Sequence, residues 1–159
     1  MTPDGKADPA GQPRPYLRTP FNERLGRFSP EPSPRWVAYD SDESGRSEVY
    51  IQAYPEPKGK WQVSNGGGQL PAWSPDGREI FYVSADSKLM SVKLKVGADA
   101  VVPSTPVALF EVDVQGFGNP PYAVAPDGKR FLVSVPVQSA GQPLEVILNW
   151  PALLKKSAE

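Results

Sequence analysis

The sequence contains no histidine and no cysteine. Without histidine it has no Ser-His or Cys-His nucleophile pair, and it lacks both the commonest proton shuttle at neutral pH and the commonest zinc ligand. Without cysteine it has no disulfide framework, so the redox compartment is not recorded. A G-x-S-x-G nucleophile elbow and a P-loop are also missing. These absences exclude most familiar enzyme chemistries.

Long apolar runs and an excess of one charge are missing as well. Seventeen basic and eighteen acidic residues are interspersed, so no basic stripe would attract nucleic acid or an anionic membrane. Residues 1–13 have no apolar signal-peptide region, and no stretch approaches the length of a membrane span. We therefore expect no nucleic-acid partner and no membrane association, with localisation left open and residues 1–13 forming a flexible tail.

Proline and aromatic residues are plentiful. Twenty prolines and 14 glycines are spread over 159 residues, which leaves few windows for a stable helix. Apolar residues make up 39% of the chain and include four Trp, six Tyr and six Phe, enough for one globular core. The composition predicts an all-β protein.

One phrase is repeated: "WSPDGREIFY" at 73–82 and "VAPDGKRFLV" at 124–133. Proline ends an incoming strand, and Asp-Gly suits a tight reversal into the next one. The corner prolines Pro30, Pro75 and Pro126 are separated by 45 and 51 residues, close to the period of propeller blades. The phrase thus indicates a repeating unit of antiparallel strands.

The strand pattern predicts three blades, at 20–66, 67–115 and 116–150. Strand-like segments are expected at 24–29, 35–41, 48–54 and 60–64, then 69–74, 78–84, 89–95 and 106–112, and finally 122–125, 130–135 and 144–150. The last blade therefore lacks a fourth strand, and residues 151–159 form a tail. Residues 14–19 form a spare outer strand ahead of the first blade. Trp36, Trp61, Trp73 and Trp150 are expected to pack between blades.

The segments "RWVAYDSDESGRSEVYIQAYP", "KWQVSNGGGQLPAWSPDGREIFYVS", "KLMSV" and "AVAPDGKRFLV" resemble the TolB-like β-propeller repeat family over roughly residues 14–156. They are most similar to the last blades of propellers that follow bacterial serine/threonine kinase domains. The resemblance implies an extracytoplasmic origin, with binding or interaction as the usual work of the fold. The kinase and membrane-spanning parts have no counterpart in these residues.

Three blades cannot close a ring, because propellers contain about four to eight. We expect two chains to pair head to tail around a two-fold axis into a six-bladed homodimer. Tyr16 to Arg18 of each chain would supply the missing outer strand of the other chain's last blade.

The connections that lead into the inner strands are expected to gather at one rim of the channel, where loops commonly carry function. The candidate residues for binding a small molecule or peptide are Asn22, Glu23, Gln69 and Asn119. The Gly-rich stretch at 65–69 precedes a strand rather than a helix, so it is expected to allow close passage of neighbouring backbone and not to hold phosphate.

The acidic turn at 40–48 imitates the start of a calcium loop through Asp40, Asp42, Ser44 and Gly45. The twelfth position is Ile51, so the bidentate glutamate is missing and no metal is predicted. No cofactor and no catalytic residue are predicted either.

The favoured interpretation is a non-catalytic interaction or ligand-binding module. One alternative is a hydrolase or lyase with a carboxylate site at the channel mouth, since paired carboxylates work without histidine. Its candidate acids are Asp40, Asp42, Glu43 and Glu48. A second alternative is that the chain is a fragment of a longer sensor protein.

Overall fold

The computed structural model describes residues 14–112 and 122–135 in full and the backbone of residues 145–147. The described residues form twelve strands and no helix, which confirms the all-β class. Within this part of the chain, no helix could cross a membrane. The strands are β1 (Glu23–Phe28), β2 (Trp36–Ser41), β3 (Glu48–Ala53), β4 (Lys60–Gln62), β5 (Gly68–Trp73), β6 (Glu79–Ser84), β7 (Lys88–Val96), β8 (Val101–Pro103), β9 (Val107–Glu111), β10 (Tyr122–Val124), β11 (Phe131–Val133) and β12 (Glu145–Ile147).

The strands form three antiparallel sheets that follow one another along the chain. Sheet 1 has the order β1-β2-β3-β4 and sheet 3 has the order β10-β11-β12. Sheet 2 has the order β5-β6-β7-β8, and β9 also pairs with β7. In sheets 1 and 3 sequential strands are neighbours, as short tight connections favour, whereas in sheet 2 strand β9 pairs with β7 and not with β8.

Most strands lie where the sequence predicts them, within a residue or two. Two differences stand out. Strand β8 was not predicted, and it pairs with the second half of β7 while β9 pairs with the first half. Residues 14–19, expected as an outer strand, form no strand in the single chain. The predicted tails at 1–13 and 151–159 lie outside the described residues.

The three sheets pack face to face in chain order. Because side chains alternate along a strand, Ile80 and Tyr82 of β6 lie on one face of sheet 2, and Phe81 and Val83 lie on the other. The first pair contributes to a core shared with sheet 1, and the second to a core shared with sheet 3. The first core also contains Trp36, Ala38, Val49, Ile51, Val92 and Leu94; the second contains Leu89, Tyr122, Phe131 and Val133.

The tryptophans that the structure describes contribute to the first core, as expected. Trp36 is buried and meets Trp61 edge to face, with ring centroids 5.4 Å apart. Trp73 packs against the same core, and its indole N–H donates a 3.0 Å hydrogen bond to the Arg27 carbonyl of β1. Trp150 lies outside the described residues.

The repeated Pro-Asp-Gly corner has a packing role. Gly77 and Gly128 have φ of 69° and 67°, a region that favours glycine. A Cβ at Gly77 would lie 3.4 Å from the Pro30 ring, and one at Gly128 would lie 3.3 Å from the Pro75 ring. Each corner glycine therefore lies against the corner proline of the preceding sheet, which explains why both residues recur together.

Candidate functional site

Asn22 lies just before β1 and is bound to the turn that follows β2. Its backbone N–H and its side-chain amide donate to the two carboxylate oxygens of Asp42, at 2.9 and 2.6 Å. These hydrogen bonds lower the pKa of Asp42, because they stabilise the charged form. Asn22 therefore joins the connection into sheet 1 to the acidic turn, and both side chains remain exposed or nearly so.

Glu23 is the first residue of β1 and pairs with Ser41 of β2. Its carboxylate accepts a hydrogen bond from the Thr19 hydroxyl. The Glu23 side chain also lines a cavity of about 310 Å³ on the face of sheet 1 that points away from sheet 2, together with Tyr16, Leu17 and Tyr39.

Gln69, the second residue of β5, is half-buried and pairs with Val83. This register puts it on the face of sheet 2 that packs on sheet 3. Among the described residues, no hydrogen bond joins Gln69 to Asn22 or Glu23. Asn119 lies outside the described residues. In the single chain, Asn22 and Glu23 are thus positioned by sheet 1, whereas Gln69 is positioned by sheet 2 and faces sheet 3.

An ion pair that the sequence reasoning missed lies within sheet 1, on the face that packs on sheet 2. Arg24 of β1 pairs with Asp40 of β2, and its Nε lies 3.7 Å from Asp40 Oδ1. Asp40 is only 1% exposed, and within the described structure its Oδ1 has no hydrogen-bond partner. Burial raises the pKa of Asp40, and Arg24, the Leu70 backbone and Ser47 oppose that rise.

The backbone of Leu70, in sheet 2, interacts with residues of both sheet 1 and sheet 3. It lies in a bulge of β5 with φ of 59°, which is uncommon for a leucine. Its backbone favours the charged form of Asp40 on sheet 1, and its carbonyl accepts a 2.6 Å hydrogen bond from the Tyr122 hydroxyl of sheet 3. Tyr122 also donates to the Phe81 carbonyl at 3.1 Å, and burial raises its pKa. Contacts from sheets 1 and 3 thus hold the Leu70 backbone in place.

The Gly-rich stretch at 65–69 binds a carboxylate of its own chain. The buried Glu48 carboxylate accepts hydrogen bonds from the Gly66 and Gly67 N–H groups at 3.1 and 2.8 Å, and from the Ser64 hydroxyl. A Cβ at Gly68 would lie 2.5 Å from that of Ser64, so the expected close passage is observed. These amides are occupied and have no room for phosphate.

The acidic residues of the 40–48 turn point in different directions. Asp40 is buried against Arg24, Asp42 binds Asn22, and Glu43 pairs with Lys60. No group of three or more acidic side chains that could hold a metal ion is found among the described residues.

The exposed side chains of the candidate site are suited to binding a polar ligand. The exposed Asn22 amide and Arg24 guanidinium offer hydrogen-bond donors, whereas the unsatisfied Asp40 oxygen is closed to solvent. A substrate could not reach Asp40 as a general acid without displacing the packing around it.

No protein-family model matches the chain, and a search of curated proteins also finds no match.

Proposed function

We propose that the chain forms three blades of a TolB-like β-propeller and works as a non-catalytic interaction module, with two copies closing a six-bladed ring. The observation that carries the proposal is the packing of the sheets. Three antiparallel sheets stack face to face in chain order, and sheet 2 has both faces filled. Radial stacking of such sheets is the arrangement of a propeller, and three are too few to close it.

The two terminal faces of the stack retain exposed apolar side chains. On sheet 1, Phe28 and Tyr54 are 57% and 38% exposed and meet edge to face, with centroids 4.8 Å apart. On sheet 3, Leu132 is 44% exposed, and it alternates with the buried Phe131 and Val133. Apolar side chains on two opposite faces favour a head-to-tail contact between copies, in which one chain's first sheet meets the other's last.

The segment before β1 supports the same arrangement. Tyr16 and Leu17 pack against Val37, Tyr39 and Tyr50 on the terminal face of sheet 1. The Tyr16 hydroxyl also donates to the Ala53 carbonyl. This is the face that a partner's last sheet would cover. A segment lying there is therefore well situated to act as the outer strand of that sheet.

In the closed ring, the connections into the inner strands of both copies would surround one channel mouth. We propose that Asn22, Glu23, Gln69 and Asn119 of each chain line this mouth and bind a small molecule or peptide. We add the exposed Arg24 to these proposed ligand-binding residues.

The proposal is tested by the solution mass of the whole chain, measured by light scattering over a range of concentrations. We expect twice the mass of the 17.3 kDa chain. A charge on either terminal face should break the contact, because it would be buried without a partner. Phe28→Glu and Leu132→Glu should therefore both yield folded monomers.

The matched control is Val102→Glu. Val102 is 59% exposed on sheet 2, away from both terminal faces, so the dimer should persist. Circular dichroism checks that each variant is folded. A wild-type chain that stays monomeric at high concentration would refute the proposal, as would a dimer that neither terminal-face variant weakens.

A further inference from the structure

A groove of about 560 Å³ runs along sheet 2, outside the site described above. Its apolar part comes from the second half of β7 and from β8, through Leu94, Val102 and Pro103. Its charged part comes from three basic and two acidic residues: Arg78, Lys93, Lys95, Asp76 and Glu79. The groove exists because β7 continues past its pairing with β9 and forms a separate hairpin with β8.

The three basic side chains of the groove are exposed. None of Arg78, Lys93 and Lys95 takes part in an ion pair within the described part of the chain. By contrast, Lys58, Lys60 and Lys88 each bind a nearby carboxylate. The groove therefore presents two lysines outside any described ion pair, together with an arginine whose charge helps to lower the pKa of the neighbouring Asp76.

The two carboxylates of the groove are held by hydroxyl groups of their own sheet. Asp76 accepts from the Ser74 hydroxyl at 2.6 Å and from the Arg78 backbone N–H at 3.1 Å. Glu79 accepts from the Ser91 hydroxyl at 3.4 Å. These hydrogen bonds hold both carboxylates against sheet 2, although their charge still opposes an anionic ligand.

Lys93 and Lys95 are two residues apart on one strand, so they share a face at a spacing of about 6.5–7 Å. Acidic side chains at alternate positions of an extended peptide have the same spacing. We propose that this groove binds an extended acidic peptide, with alternate carboxylates on Lys93 and Lys95 and the intervening chain against Val102. All the lining residues belong to sheet 2 or its corner, so the proposal does not rest on dimer formation.

The test is fluorescence anisotropy of the full chain with a labelled peptide Thr-Glu-Thr-Glu-Thr-Glu-Thr at low salt. Lys93→Gln and Lys95→Gln should each weaken binding by roughly three- to fivefold, the scale of an exposed ion pair. Glu79→Gln should tighten binding, since it removes an opposing charge. Raising the ionic strength should weaken binding, because salt screens exposed charges.

Two controls separate groove binding from general charge attraction. Lys58→Gln makes the same change in net charge outside the groove and should leave the affinity unchanged. The peptide Glu-Thr-Thr-Glu-Thr-Thr-Glu has the same composition and charge but no two glutamates two residues apart, and it should bind more weakly. The proposal is overturned by absence of binding, by equal weakening in Lys58→Gln, by no tightening in Glu79→Gln, or by equal affinity for the two peptides.

Discussion

Asp40 and Asp42 are two residues apart and titrate in opposite directions. Burial raises the pKa of Asp40 above its ordinary value of 3.8, whereas hydrogen bonds from Asn22 lower the pKa of Asp42 below it. Compared with the unfolded chain, the folded state therefore favours the protonated form of Asp40 and the ionised form of Asp42. Asp40 contributes stability that is present below pH 3.8 and lost as the pH rises through its folded pKa. Asp42 contributes stability that is present above pH 3.8 and lost as the pH falls through its folded pKa.

Asp40→Asn and Asp42→Asn should consequently change the pH dependence of stability with opposite signs. The measurement is urea unfolding at one protein concentration, from about pH 2 to pH 7. Relative to wild type, Asp40→Asn should gain stability as the pH rises, and Asp42→Asn should lose it. If the free energy of unfolding changed with pH in the same way for both variants, the environments assigned to Asp40 and Asp42 would be contradicted.

Gly68 of β5 and Gly26 of β1 allow a second comparison between residues. A Cβ at Gly68 would lie 2.5 Å from the Ser64 Cβ, whereas one at Gly26 would have its nearest neighbour, Val37 Cγ1, at 3.8 Å. Gly68→Ala should therefore destabilise the chain by about 1–3 kcal/mol through overpacking. Gly26→Ala should be neutral or stabilise slightly, because alanine lowers the entropy of the unfolded chain. Urea unfolding measures both, and equal losses would show that the close contact at Gly68 is unimportant.

The residues of the candidate site were only partly predictable. Asn22 and Glu23 could be proposed from the sequence because they are polar residues between a turn and a strand, a position expected at the rim of the channel. Arg24 was missed because it looks like an ordinary exposed strand residue. Asp40 was considered as a candidate acid, but its burial was missed because acids beside a turn are usually solvated. Its burial depends on the register of β1 with β2 and on the Leu70 bulge, and the sequence shows neither.

At the scale of elements, the alternation of side chains and the Pro-Asp-Gly corner correctly predicted the positions of β6 and β7. Ile80 and Tyr82 alternate with Phe81 and Val83 because both faces of sheet 2 are covered. Strand β8 was not recognisable because it has three residues, ends in proline, and is stable only against the extended end of β7. Pairing with the preceding strand β7 decided this element, and local propensity contributed little.

Residues 14–19 depend even more on their surroundings. Their sequence is strand-like, yet in the single chain they lie over sheet 1 without joining a ladder. A strand needs a neighbour with free backbone groups. Among the described strands of sheet 1, such groups remain on the outer sides of β1 and β4, whereas residues 14–19 lie across the face of the sheet. Whether 14–19 becomes a strand is therefore decided by the edge available to it.

At the scale of the whole molecule, sheet 3 offers such an edge. Its described strands end at β12, so the far side of β12 has no neighbour among the described residues. An unpaired edge invites another strand, and the 14–19 segment of a second chain would satisfy it. In the proposed ring, closure and strand exchange would be one event, because the segment that covers sheet 1 of its own chain would also extend sheet 3 of the other.

Exchange predicts a specific disulfide between chains, and the absence of native cysteine makes it easy to detect. We expect Leu17→Cys chains, mixed with chains carrying Glu145→Cys, Val146→Cys or Ile147→Cys, to form a linked pair with at least one of the three. A disulfide requires Cα atoms within about 4.4–6.8 Å, a distance that neighbouring strands provide. Non-reducing electrophoresis of the oxidised mixture measures the product. Lys58→Cys in place of Leu17→Cys should give no linked pair, and failure of all three mixtures would exclude the exchange while leaving a dimer without exchange possible.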